Sequence, residues 1–139
     1  MSGLDRELLA EKAAVIERHL ARVAEKLPDD PEDFLPATDA SDAVILHLWQ
    51  ATQTTIDLAV SACIHFRLGT PGGYGTAFRR LADGGFLDSA LADRLVRAAG
   101  FRNVVAHAYD TLDMARVFRT AGEGPADLRA FLHALAERV

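Results

Sequence analysis

The sequence predicts an all-α fold, and three observations support this prediction. Two long segments carry apolar side chains in alternating steps of four and three residues, which is the spacing of one helix face. No segment shows a convincing alternation of apolar and polar residues, as a strand would. Half of the 139 residues are hydrophobic and a quarter are charged, which is typical of a globular domain. We therefore expect one helical domain over residues 1–139.

The first two predicted helices are long and carry matching apolar seams. The first covers about residues 4–27, where a proline ends it, and the second about residues 41–68. Their seams consist of Leu9, Ala13, Ile16, Leu20, Val23 and Leu27, and of Ile45, Trp49, Thr52, Ile56, Ala59, Cys63 and Phe66. Such seams predict an antiparallel pair within a bundle, joined by an acidic surface loop at residues 28–40. Asp39 or Ser41 is expected to cap the second helix.

Shorter helices follow a glycine-rich break at residues 69–75. This break lacks the Gly-Lys-Ser/Thr ending of a phosphate-binding loop and follows no predicted strand, so we interpret it as a turn. A short helix is expected at residues 76–83. Asp88 then caps a helix that carries residues 102–109 at its C-terminal end.

The C-terminal segment is predicted as two helical pieces, at residues 113–120 and 125–138. Gly122 and Gly124 lie between them, and glycine is a poor helix former. The complete prediction is an antiparallel helical bundle with two long helices and shorter C-terminal helices.

Charge is unevenly distributed along the chain. Residues 1–60 carry five basic and twelve acidic side chains, whereas residues 61–119 carry eight arginines, no lysine and five acids. The acidic total of −5 argues against indiscriminate binding of nucleic acid. The arginine-rich segment 61–119 is compatible with a local anion site, although solvated helix faces explain the same pattern.

Several classes of protein are excluded or disfavoured by simple counts. The single cysteine, Cys63, excludes an internal disulfide framework and a four-cysteine zinc site, and its apolar surroundings predict a buried thiol. The histidines are scattered without a helical i,i+4 pair, so no metal site is expected. No apolar run approaches the ~18 residues of a membrane span, and the N-terminal segment lacks the apolar core of a signal peptide. We expect a cytoplasmic protein without membrane contact.

Residues 102–109, Arg-Asn-Val-Val-Ala-His-Ala-Tyr, are the most informative segment of the chain. Arg102 is always charged and can bind a phosphate through two parallel hydrogen bonds. His107 can accept or donate a proton near neutral pH. A phosphate-binding group beside a proton carrier is what metal-free cleavage of a phosphodiester requires.

The spacing of this octet leaves its geometry open. Arg102 and His107 are five residues apart, which separates them by about 140° around an ideal helix, whereas Asn103 and His107 share a face. A long arginine side chain, fraying of the helix end, or two copies meeting across a dimer interface would each bring the pair together. A structural interpretation also exists, because basic side chains stabilise a helix C-terminus. Asp57 either orients a residue of the site or is a surface or helix-pairing ion.

The octet matches the Arg-x-x-x-x-His-x-Tyr motif of HepT-like toxins, and the chain therefore resembles this family of the HEPN ribonuclease superfamily. Further matches in the same order cover about residues 45–118. They are Gln53-Thr54-Thr55-Ile56-Asp57 before the glycine-rich turn, a Tyr-x-x-x-Phe-x-x-Leu helix at Tyr74, Phe78 and Leu81, and the Gly85-Phe86-Leu87 turn. This order and spacing is far more specific than the Arg–His pair alone.

The resemblance implies an all-α HEPN bundle that forms a homodimer or a higher oligomer. It implies a metal-independent endoribonuclease toxin that needs no cofactor and cleaves RNA with Arg102, His107 and Asn103. It also implies an antitoxin, a minimal nucleotidyltransferase of the MntA type, which transfers AMP to the residue matching Tyr109. Two rival interpretations are a non-catalytic HEPN domain that binds nucleotide or a nucleotidyltransferase, and a plain dimerisation module. A purely structural domain would not need Arg, His and Tyr together.

Overall fold

The computed structural model describes residues 4–139, except for the side chain of Tyr74. Within that part the chain forms α-helices and short 3-10 helices and contains no strand, which confirms the all-α prediction. The α-helices are α1 (Arg6–Lys26), α2 (Asp39–His65), α3 (Tyr74–Asp83), α4 (Ser89–Ala108) and α5 (Met114–Ala136). Pro31–Asp33 and Tyr109–Thr111 form single 3-10 turns. None of the described helices is both long and apolar enough to cross a membrane.

Helix α2 is the central element of the bundle. It packs most extensively against α1, and it also contacts α3, α4 and α5. The first turns of α1, with Leu8, face the last turns of α2, with Leu58, so the two helices run antiparallel as predicted. The seam predicted for α2 is buried except for its partly exposed aromatic members. A second buried row lies beside it, formed by Val44, Leu48, Ala51, Thr55, Leu58 and Ala62.

The buried side chains form two clusters at opposite ends of the bundle. The large cluster joins α1, α2, α3, α4 and α5, and its biggest side chains include Ile56, Phe78 and Phe131. Phe78 and Phe131 meet edge to face, with ring centroids 5.6 Å apart. The small cluster lies at the end where α1 leads to α2 and α4 leads to α5. Its members are Val23, Phe34, Val44, Ile45, Leu48, Phe101, Val105, Val117 and Ala121.

The prediction of two C-terminal helical pieces is wrong, because α5 is one continuous helix through Pro125. The proline removes one backbone N–H donor, and the two glycines weaken helix propensity. Packing outweighs both effects, since Val117 and Ala121 belong to the small cluster while Leu128 and Phe131 belong to the large one. Each half of α5 is thus held by its own core.

Local hydrogen bonds set the helix ends. The N-cap of α2 is Thr38, not Asp39 or Ser41: the Thr38 hydroxyl accepts from the Ser41 backbone, and the Ser41 hydroxyl accepts from the Thr38 backbone. Helix α2 ends at His65, three residues earlier than predicted. The Asp88 cap is confirmed, since its carboxylate accepts from the Leu91 backbone at 2.7 Å.

The turns around α3 need glycine at two positions. Gly69 has a φ of +92°, and Gly85, which follows the end of α3, has a φ of +84°. Side chains rarely adopt this left-handed region. The glycine-rich break is therefore a turn, as predicted. Cys63 is buried, and its thiol contacts the Ala77 carbonyl oxygen of α3 at 3.4 Å, which confirms the predicted buried thiol.

Candidate functional site

The octet lies on the last turns of α4 and the 3-10 turn that follows. Phe101 and Val105 are buried in the small cluster and anchor this part of the helix to α2 and α5. Because these two residues face inward, Arg102, Asn103 and His107 are turned away from the core and are partly or fully exposed. The helix therefore presents the polar side chains of the octet on its outer faces.

Arg102 is held against α2 by several contacts. Its Nε donates to Gln53 Oε1 at 2.6 Å, and the centre of its guanidinium lies 5.3 Å from the centroid of the Trp49 ring. Gln53 in turn donates from Nε2 to Asp57 Oδ1 at 2.9 Å. This chain of hydrogen bonds fixes the amide of Gln53 so that its oxygen points at the arginine. Asp57 thus orients Arg102 indirectly, through Gln53, which is one of the two roles predicted for it.

Asn103 lies beside the same guanidinium. Its Oδ1 accepts a hydrogen bond of 3.3 Å from a terminal nitrogen of Arg102. Such a contact leaves the amide nitrogen of Asn103 available as a donor. Arg102 and Asn103 therefore lie side by side on the outer surface of α4.

His107 is exposed in the last turn of α4. No hydrogen bond or ion pair joins its side chain to Arg102 or to another residue of the described part of the chain. The helix continues to Ala108, so its end is not frayed at His107, and the Arg102 side chain is directed to Gln53. The two ways of joining the pair within one chain, a bridging arginine side chain and a frayed helix end, are thus not seen in this structure.

Tyr109 follows the helix and is 46% exposed. Its hydroxyl donates to Asp42 Oδ1, in the first turn of α2, at 2.8 Å. The hydrogen bond to Asp42 is the main cause that raises the pKa of the phenol above its usual 10.0; burial and the charges of Asp42 and Asp110 act in the same direction. The tyrosine is accordingly a neutral, accessible phenol that a carboxylate holds in one direction.

Two histidines that are distant in the sequence meet elsewhere in the bundle. Nδ1 of His19 on α1 lies 2.9 Å from Nδ1 of His47 on α2. Burial lowers the pKa of His19, and the charges of His47 and Arg18 lower it further. Within residues 4–139 no group of three or more histidine, cysteine or acidic side chains could hold a metal ion.

Sequence reasoning overlooked the contact roles of Trp49 and Gln53 and missed Asp42 altogether. Gln53 and Asp57 are four residues apart, the spacing at which such side chains bond on a helix, so that pair could have been found. The apolar seam predicts only a packing role for Trp49. Asp42 is 67 residues from Tyr109 and has no local signal.

Comparisons with known proteins agree with this architecture. Residues 16–135 match the family of HepT-like ribonucleases. One relative is the mRNA nuclease HepT of Shewanella oneidensis, which is 26% identical over 126 residues, or 91% of this chain and 94% of that protein.

Solved structures of related proteins share the fold. The tri-AMPylated Shewanella oneidensis HEPN toxin in complex with MNT antitoxin is 25% identical, with a TM-score of 0.84 over 94% of this chain and 98% of that one. A crystal structure of a toxin–antitoxin with AMP-PNP gives a TM-score of 0.85 at the same identity and coverage. The predicted HEPN bundle is therefore confirmed. Because the family match covers most of its length, the chain belongs to the HepT-like family of ribonucleases.

Proposed function

We propose that this chain is the toxin of a toxin–antitoxin pair and acts in the cytoplasm as a metal-independent endoribonuclease. The observation that supports this most is the fixation of Arg102 by Gln53 and Trp49, next to Asn103 and on the same helix end as the exposed His107. An arginine that only stabilised a helix end would not need a relay of side chains from another helix. The single HEPN domain is proposed to extend over residues 1–139.

The proposed chemistry is cleavage through the neighbouring 2′-hydroxyl of RNA. That hydroxyl must lose a proton as it attacks phosphorus, and the leaving 5′-oxygen must gain one. Imidazole is the side chain that most often performs such transfers near neutral pH, and His107 supplies it. Arg102 and Asn103 bind the non-bridging oxygens, where negative charge increases in the transition state. The products are a 2′,3′-cyclic phosphate and a 5′-hydroxyl.

A homodimer completes this site in the proposal. Within one chain Arg102 is directed to α2, and His107 has no described partner. A two-fold axis near the end of α4 places the histidine of one protomer opposite the arginine of the other. The substrate phosphate then lies between the two protomers.

The proposed control point is Tyr109. A nucleotidyltransferase antitoxin of the MntA type transfers AMP to its exposed hydroxyl, two residues after His107. Each AMP adds a phosphodiester charge and a bulky base beside the site, so it repels and blocks an RNA backbone. The solved structure of a tri-AMPylated HEPN toxin in complex with MNT antitoxin supports this part of the proposal.

RNA cleavage by purified variants tests the proposal. Arg102→Ala and His107→Ala should each lower the cleavage rate by about 10²–10⁴-fold, and the parent should stay active in EDTA. The matched controls are His133→Ala and Arg18→Ala, which remove an exposed histidine of α5 and an exposed arginine of α1, both outside the octet. Parent-like cleavage by His107→Ala, or loss of activity in EDTA, would show the proposed chemistry to be wrong.

A further inference from the structure

A cleft between α4 and α5 is lined by four arginines. It has a volume of about 400 Å³, and Arg94 and Arg97 of α4 face Arg116 and Arg119 of α5 across it. Phe101, which belongs to the small cluster, lies at its floor. Glu123 and Asp127 are the acidic residues of the lining, so the cleft is net positive in a chain of net charge −5.

Most of these arginines have no partner within the described chain. Arg94 is paired with Asp127 at 2.8 Å, whereas the guanidinium groups of Arg97, Arg116 and Arg119 form no hydrogen bond or ion pair with any described residue. The other arginines of the described part that lack such a partner are Arg18 and Arg67. Unpaired guanidinium groups are thus concentrated in one concave surface instead of being scattered over the molecule.

The positive charge of the cleft is greatest on the side of the octet. The Arg94–Asp127 pair and Glu123 occupy the end farther from residue 102 along α4 and α5. Arg116 and Arg119 lie on the first turns of α5, which pack beside Phe101 and Val105. Arg97 precedes His107 by ten residues, which is about 15 Å along the helix axis. The cleft thus adjoins the octet along the axis of α4.

We propose that this cleft is an anion site that binds backbone phosphates of the RNA strand next to the scissile bond. The inference rests on the proposed ribonuclease function and adds a substrate-binding site outside the octet. Arg97, Arg116 and Arg119 supply guanidinium groups, which bind phosphate through paired hydrogen bonds. These groups recognise the charge and shape of the backbone, which is the same for every RNA sequence.

The salt dependence of RNA binding tests this site. The probe is a fluorescent, single-stranded 2′-O-methyl RNA, which the parent protein cannot cleave through a 2′-hydroxyl. The double variant Arg97→Gln/Arg119→Gln should bind more weakly, and the slope of log Kd against log salt should fall by about 1.4, or 0.7 for each lost phosphate contact. The matched control Arg18→Gln/Arg67→Gln removes the same charge elsewhere and should keep the slope of the parent.

The outcomes separate this inference from the proposed function. If the parent cleaves RNA and both double variants show the same slope of log Kd against log salt as the parent, the cleft is not an RNA-binding site. The double variant Arg97→Gln/Arg119→Gln could instead lose binding to the nucleotidyltransferase and keep the salt slope for RNA. The cleft would then bind an acidic protein partner, and the inference would be wrong. If the parent neither binds nor cleaves RNA, the proposed function and this inference both fail.

A second, independent observation concerns Asp42 and Tyr109. The phenol is directed into a small cavity of about 230 Å³ between α2 and the start of α5, where its hydroxyl donates a hydrogen bond of 2.8 Å to Asp42. Asp42 lies in the first turn of α2, where the helix dipole stabilises a negative side chain. Asp110, the neighbouring residue, also lines this cavity but has no hydrogen bond to the phenol.

We infer that Asp42 positions the Tyr109 hydroxyl and takes its proton during transfer of AMP. The inference rests on the proposed modification of Tyr109. The phenol oxygen forms a bond to the α-phosphorus of a nucleoside triphosphate that the nucleotidyltransferase brings as a metal complex. The bond from that phosphorus to the pyrophosphate oxygen breaks, pyrophosphate leaves, and the phenol proton passes to the Asp42 carboxylate.

The rate of AMP transfer as a function of pH tests this role. Asp42→Asn keeps the size and the acceptor oxygen of the side chain but cannot take a proton, so modification should slow by about 10²-fold or more near neutral pH. Its rate should then rise steeply with pH, because the phenol must lose its proton without help from a neighbouring carboxylate. Intact mass spectrometry measures the added AMP, and Asp110→Asn is the matched control.

Each outcome bears on a separate claim. Modification of Asp42→Asn at the rate and pH profile of the parent would overturn the role of Asp42 and leave Tyr109 as the acceptor. Addition of AMP to Tyr109→Phe, or none to the parent, would show instead that the proposed modification of Tyr109 is wrong. An equal slowing of Asp110→Asn would contradict a specific role of Asp42, since general negative charge would then explain the effect.

Discussion

The two ends of the bundle differ in what their side chains do. At one end the large cluster draws residues from α1, α2, α3, α4 and α5 and places Phe78 and Phe131 at full burial. At the other end the small cluster supports an octet whose polar side chains are exposed. Buried apolar area stabilises a fold, whereas exposed polar groups serve binding and catalysis. Stability and activity should therefore be separable by mutation at opposite ends.

The largest effect on stability is expected in the large cluster. Phe131 is fully buried against Phe78, and its truncation removes an aromatic contact and leaves a cavity. Phe131→Ala should lower the free energy of unfolding by about 3–5 kcal/mol, measured by urea denaturation followed by circular dichroism. A loss below about 1 kcal/mol would show that this end does not dominate stability.

Phe101→Ala is the matched change at the octet end. Phe101 is also buried, yet it belongs to the small cluster and lies beside Arg102 on α4. We expect a smaller loss of stability than for Phe131→Ala, at the lower end of the 3–5 kcal/mol range, together with a clear loss of RNA cleavage. If Phe101→Ala and Phe131→Ala lose the same stability and Phe101→Ala still cleaves RNA like the parent, the two ends do not differ in the proposed way.

Gln53→Ala sharpens the comparison without touching a proposed catalytic residue. It removes the amide that holds Arg102 Nε at 2.6 Å, and a hydrogen bond to a charged group is worth about 1.5–3 kcal/mol. Cleavage should fall by about tenfold or more, while the urea midpoint changes little. Gln50→Ala, one turn earlier on α2, is the control. Unchanged cleavage by Gln53→Ala would show that the relay from Asp57 does not position the arginine.

The smallest effect is a pH dependence of stability at the histidine pair. The pKa of His19 is lowered in the folded state from 6.5, chiefly by burial and then by His47 and Arg18. As pH falls below 6.5, the unfolded chain therefore takes up a proton that the folded chain resists, and stability decreases until the folded-state pKa is passed. His47→Gln should make this decrease in urea midpoints smaller, because it removes the second cause and leaves burial in place, and His133→Gln should not change it. If the urea midpoint of His47→Gln falls with pH as steeply as that of the parent, the His19–His47 pair does not cause the pH dependence.

Much of the fold followed from the sequence because helix periodicity and caps are local signals. The seams of α1 and α2 and the Asp88 cap are all encoded within a few residues. The continuity of α5 was not predictable in this way, because two separate clusters hold its halves across Gly122, Gly124 and Pro125. The central position of α2 also depends on packing from several helices at once.

The candidate site was predicted in its composition but not in its contacts. The octet supplied Arg102, His107 and Tyr109 as a continuous motif. The partners that orient them, Gln53 and Asp42, come from another helix, and only tertiary structure brings them near. The separation of Arg102 from His107 within one chain agrees with the five-residue spacing, and it is the reason for proposing a site shared by two protomers.

Mixing of two inactive variants tests that shared site most directly. Arg102→Ala and His107→Ala are each expected to be inactive, and their mixed dimer contains one intact Arg102 and one intact His107 on different protomers. Co-refolding the two in equal amounts should restore a substantial fraction of parent RNA cleavage, with dimer mass checked by light scattering. A mixture that forms mixed dimers and stays inactive would contradict the account, as would a strict monomer that cleaves RNA.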